Sequence, residues 1–180
     1  RNDGACGAWA VKAMTTWGTV SRDVTGPYSD KLAALWGWKG VPADIKTKAV
    51  DHKLKTASLV KDYAQRCDAL ANGYPVTVSS DQGFTLERDD QGFCEAKGTW
   101  GHSMLIVGVR TDRPGACIFQ SWGPNMPSGP LVLDQPNNTF FAEEDVVDAM
   151  LKMGDSWSLS GAIGYPDQSH AIDRSLFGLI

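Results

Sequence analysis

A cysteine set just ahead of an apolar helical stripe constrains this chain more than any other feature. Gly4-Ala5-Cys6-Gly7 leads into Ala8-Trp9-Ala10-Val11-Lys12-Ala13-Met14, in which Trp9, Ala13 and Trp17 recur every four residues with Ala10 and Met14 beside them. That spacing predicts a helix over residues 7–20 with a buried apolar stripe. Gly4 punctuates the chain just before it. Cys6 is therefore expected at the first turn, where unpaired N–H groups and the positive end of the helix dipole stabilise an anion. A thiolate is such an anion, so the position suits a nucleophile as well as it suits a small core residue.

A second stretch, Gly101-His102-Ser103-Met104-Leu105-Ile106-Val107-Gly108-Val109, sets a histidine at the head of an apolar run. Phe119-Gln120-Ser121-Trp122-Gly123 follows about ten residues on. Cys at a helix start, Gly-His before a strand, and polar-Ser-Trp-Gly after it, in that order, resemble the papain-like cysteine peptidases. The resemblance spans most of the chain in order and rests on few residues: Cys6, His102 and Ser121-Trp122-Gly123, with Gln120 where the family usually has Asn. It implies Cys6 as nucleophile, His102 as base and Gln120 as the side-chain carbonyl that orients the imidazole. Trp122 would shield that bond and border the substrate groove. Gly40-Val41-Pro42, leading into a helix, resembles the family's Gly-Gly-x-Pro segment and makes Gly40 a groove residue. The family's oxyanion Gln lies six residues before the Cys, a position that precedes Arg1. Asn2 is the nearest amide, and the Cys6 N–H is the other donor. The family also usually reads Cys-Trp, whereas Trp9 here stands three residues after Cys6.

With 180 residues, one domain with a real core is expected. A net charge of −4 and no basic block argue against nucleic acid or an anionic membrane surface as partner. No run approaches the roughly 18 apolar residues of a membrane span. Four scattered cysteines, Cys6, Cys67, Cys94 and Cys117, make neither a disulfide framework nor a zinc motif, so no metal or cofactor is expected. The chain opens on Arg1 rather than Met, the expectation for a processed product or part of a longer polypeptide.

Along the chain, a turn is expected at Gly26-Pro27 and a short helix to Trp36 capped by Ser29 or Asp30. A helix over 45–52 capped by Asp44, a strand over 53–60 and a helix over 61–72 closed by Gly73 follow. Strands are expected at 74–80, 105–110, 116–122, 131–133 and 157–163, with a long loop or an irregular hairpin at 81–100 and a helix at 142–153. Helices come first and strands later, which predicts an α+β fold. With the resemblance, that becomes a single papain-like domain over 1–180. Residues 1–72 would be mostly helical, 73–165 mostly strand and 166–180 a tail, with a helical layer packed on an antiparallel sheet or barrel and a cleft between them. The function expected is peptide-bond hydrolysis by a Cys–His thiolate mechanism on a peptide or protein substrate. A catalytically weak module with a binding or structural role inside a larger polypeptide, such as a viral one, is the alternative. An acyl transferase ranks behind both, because such enzymes usually orient the His with Asp.

Overall fold

A computed structural model describes residues 5–163. The described residues form two compact units, one of residues 5–7 and 58–159, the other of residues 8–57 and 160–163. Six strands pair in the order β1, β6, β2, β3, β4, β5. They span Leu54–Leu59 (β1), Val76–Phe84 (β2), Ala96–Arg110 (β3), Gly115–Phe119 (β4), Thr139–Glu143 (β5) and Ser156–Ala162 (β6). The pairs β2–β3, β2–β6, β3–β4 and β4–β5 are antiparallel.

In the sheet unit, helices α5 (Tyr63–Ala71) and α6 (Glu144–Lys152) cover the apolar side of the sheet. Val76, Val78, Met104, Ile106, Ile118 and Phe140 from the strands meet Val147, Met150 and Leu151 of α6 in one buried cluster. Alternation along β2 puts Val76 and Val78 inward, and the i, i+3, i+4 spacing of Val147, Met150 and Leu151 turns one helix face to them. Each such side chain contributes about 1.5–3 kcal/mol on burial. Asp62 caps α5 by accepting the Gln65 N–H at 2.8 Å. The helix expected over 61–72 thus belongs to the strand-rich half, because Tyr63, Ala69 and Leu70 pack on the sheet core.

At 81–100 the irregular hairpin forms: β2 runs on to Phe84 and β3 starts at Ala96, with shifts of register at Ser80/Gln82 and Gln82/Phe84. Glycine makes this possible: a Cβ on Gly83 would lie 2.3 Å from the Lys97 carbonyl oxygen. One strand assignment differs from the sequence reading: the strand expected at 131–133 does not form, and Leu133 takes φ 52°. The strand is instead β5, whose Thr139, Phe140, Phe141 and Ala142 are all buried, so it reads as a continuous apolar run rather than an alternating one.

The other unit carries α1 (Gly7–Thr16, its first residue belonging to the sheet unit), α2 (Arg22–Thr25), α3 (Asp30–Lys39), α4 (Ala43–Ala49) and a 3-10 turn at Val50–His52. α1 ends at Thr16, not residue 20, and Gly18 lies just past its end. Gly18 has φ 89°, and a Cβ there would sit 1.8 Å from the Ala49 carbonyl oxygen. Ser29, not Asp30, caps α3 through the Leu32 N–H at 3.3 Å, and Gly37 stays helical. Asp44 does not cap α4; Pro42 holds the cap position and Asp44 lies in the first turn. The stripe expected to be buried is not: Trp9 is 66% and Trp17 61% exposed, and Val11 is the buried residue of α1. No described helix is long and apolar enough to cross a membrane.

Candidate active site

The sheet unit brings the opening segment to one row of its strands. Ser79 of β2 is paired with Ser103 of β3, and their hydroxyls are 3.1 Å apart. On the other side of β2, Val78 pairs with Ser156, so Asp155 falls next to Ser79. Gly7 lies on this row. Its N–H donates to Asp155 Oδ2 at 2.5 Å, and a Cβ on it would come within 2.9 Å of both Asp155 Oδ1 and Ser79 Oγ. Cys6, one residue before Gly7, is exposed and carries a free thiol. His102 is one residue before Ser103 in β3 and pairs with Ser80. Gly7 and Ser103, the chain neighbours of Cys6 and His102, therefore both meet Ser79, while the His102 side chain leaves β3 on the face opposite Ser103.

The His102 ring stacks on Trp122, with centroids 5.0 Å apart and planes 21° from parallel. Trp100 meets the same indole edge-on at 5.2 Å. His102, Trp100 and Trp122, with Leu86, Gly101 and Met126, line a mainly apolar pocket of about 380 Å³. His102 Nε2 is buried without a hydrogen-bond partner, as is Trp100 Nε1.

Gln120 does not take the role expected of it. Its side chain is buried, its Nε2 donates to the Met126 carbonyl, and its Oε1 accepts the Trp122 N–H. Its own N–H donates to the Asn138 carbonyl at 3.1 Å. Both ends of the amide are thus committed to the loop that carries Trp122, and they shape its turn. Gly40 ends α3 with φ 85°, its N–H donating to the Trp36 carbonyl at 2.9 Å, and it belongs to the other unit. Asn2 lies outside the described residues. Among the described residues, no group of His, Cys, Asp and Glu is arranged to hold a metal ion.

Burial separates the thiols. It pushes Cys94 and Cys117 up to about 11 and also raises Cys67. Burial lowers His102 below its ordinary 6.5, because a charged ring loses hydration there. The folded state thus favours the neutral imidazole, and as pH falls the unfolded chain takes up this proton first. The stabilisation is fully present above 6.5 and is lost as pH falls through the lower folded value. Urea unfolding of the wild type is expected to weaken more steeply below 6.5 than that of His102→Phe, which keeps a flat ring on Trp122. Parallel pH curves would disprove this linkage.

Known structures place the fold. The chain is similar to xylellain, a cysteine protease from Xylella fastidiosa, with a TM-score of 0.58 at 17% identity over 83% of this chain. The match spans 59% of the length of that protein's chain. No protein-family model and no curated protein sequence matches. The mixed helix and antiparallel-sheet architecture is thus that of a cysteine protease fold.

The sequence reading missed Asp155, Ser79, Ser103 and Leu86. Asp155 follows a glycine before a strand and looks like any turn residue. Trp100 carried a usable signal, two residues before His102 on a strand, where alternation puts both on one face.

Proposed function

We propose that the chain is a cysteine peptidase in which Cys6 attacks the peptide carbonyl and His102 manages the proton. The observation that carries this reading is that Gly7 and Ser103, the chain neighbours of Cys6 and His102, both lie against Ser79 of β2, with the Cys6 thiol exposed. The fold likeness to a cysteine protease supports it.

In this reaction the Cys6 thiol passes its proton to His102 and the sulfur bonds to the carbonyl carbon. The C–N bond then breaks, and the departing amine takes the proton from the imidazolium. Water hydrolyses the thioester and restores the thiol. The neutral ring favoured by burial is the form that accepts the first proton. The Cys6 N–H, with Asn2 as the candidate second donor, would hold the oxyanion. The pocket beside His102 and Trp122 would take an apolar side chain of a peptide or protein substrate.

The second reading is a domain of this fold that binds without cutting. The unpartnered His102 Nε2, with Gln120 committed to its own loop, favours it. Iodoacetamide separates the two. A peptidase is expected to alkylate at Cys6 at least ~10-fold faster than at half-buried Cys67 in mildly acidic buffer, and His102→Ala should abolish the excess. Equal rates at the two thiols would rule out the peptidase.

A further inference from the structure

Asp155 has no part in the chemistry above, yet it touches the segment that bears the thiol. Its two oxygens are divided: Oδ2 accepts the Gly7 N–H at 2.5 Å, and Oδ1 accepts the Trp157 indole N–H at 3.0 Å. Trp157 is two residues on and paired with Thr77 of β2, so the carboxylate is braced by the sheet while it holds the chain at Gly7. Gly7 is fitted to this grip. Any Cβ would meet Asp155 Oδ1 and Ser79 Oγ at 2.9 Å, closer than side-chain carbons pack.

We infer that Asp155 is a positioning residue that fixes Cys6 relative to β3 and His102. The inference rests on the reading of Cys6 as nucleophile. Gly7 is the first residue of α1, and its N–H has no partner within the helix. With the carboxylate in place, the Cys6 Cα is one peptide unit from a point locked to the sheet. Misplacement of a reacting group by about 1 Å costs on the order of 10²-fold in rate, which is the scale of effect such a grip controls.

Asp155→Ala, Asp155→Asn and Gly7→Ala test this. Ala and Asn both remove the charge, but only Asn keeps an oxygen of the same reach, so the pair separates geometry from electrostatics. Turnover of a fluorogenic peptide and Cys6 alkylation by iodoacetamide are measured beside the melting temperature. Asp155→Ala is expected to lower kcat and the Cys6 alkylation rate by roughly 10- to 100-fold, with KM and Cys67 alkylation unchanged. Asp155→Asn is expected to recover most of that loss, and Gly7→Ala to reproduce it. A purely structural role would lower the melting temperature of Asp155→Ala and leave the kcat of the folded protein unaltered, which overturns the inference. So would equal losses in Asn and Ala. Should wild-type Cys6 alkylate no faster than Cys67, the peptidase reading fails and this inference with it. A fast wild-type Cys6 with an indifferent Asp155→Ala sinks the inference alone.

Discussion

His102→Ala is expected to lower kcat/KM for a peptide substrate by roughly 10³- to 10⁴-fold, because it removes both the acceptor of the thiol proton and the donor to the leaving amine. Cys6→Ala should cost as much, and the double variant no more than either alone, since the two groups act as a unit. The alanine leaves Trp122 without its stacking partner, so part of the loss has a structural origin. His102→Phe isolates the chemistry: it keeps a ring on the indole and should be as inactive as the alanine. A variant retaining a tenth of wild-type turnover would remove His102 from the mechanism.

Arg88→Met is expected to destabilise the fold by about 2–4 kcal/mol in urea unfolding. Arg88 is 6% exposed, and its guanidinium donates to three backbone carbonyls, Pro130 at 2.8 Å, Thr139 at 2.9 Å and Gly129 at 2.7 Å. A methionine of similar length fills the space and relieves the desolvation of a cation. It leaves carbonyls unsatisfied, and that is the larger effect. The Thr139 oxygen retains a bond from Gln135 Nε2 at 3.2 Å, so the cost falls on Gly129 and Pro130. Arg88→Lys should recover only part of the loss, because an ammonium cannot span three acceptors as a planar fork does. The segment so pinned includes the turn between Met126 and Asn138, the two residues that bond to Gln120. Loosening it should also disturb the Trp122 wall. A loss below about 0.5 kcal/mol would show that the three carbonyls find water instead.

The helical opening, the helices at 63–71 and 144–152 and the strands β1, β2, β4 and β6 were legible, because their periodicity and caps are local. β5 was not. Phe140-Phe141-Ala142 runs straight into α6, and a short apolar run beside a helix gives no period of its own. The hairpin at 81–100 could be read only as one of two options beside a long loop, because a glycine such as Gly83 serves a loop and a close approach of two backbones alike. The burial of the Trp9 stripe was inferred from spacing alone, and spacing identifies a face without saying whether anything covers it. At the site, the order Cys, His, Trp could be read from the sequence. The role of Gln120 could not, since the partners of its amide are backbone groups of the loop that carries Trp122.

The base and three of the residues that wall its pocket are carried by different kinds of backbone. His102 hangs from β3, the longest strand described, with Ser80 laddered beside it, whereas Leu86, Trp122 and Met126 come from the connections that follow β2 and β4. Two torsions are the whole of the imidazole's freedom, and an indole already fills one side of its arc. Connecting segments can therefore be exchanged or lengthened, re-cutting the cavity for another guest, while the proton carrier stays bolted to the frame.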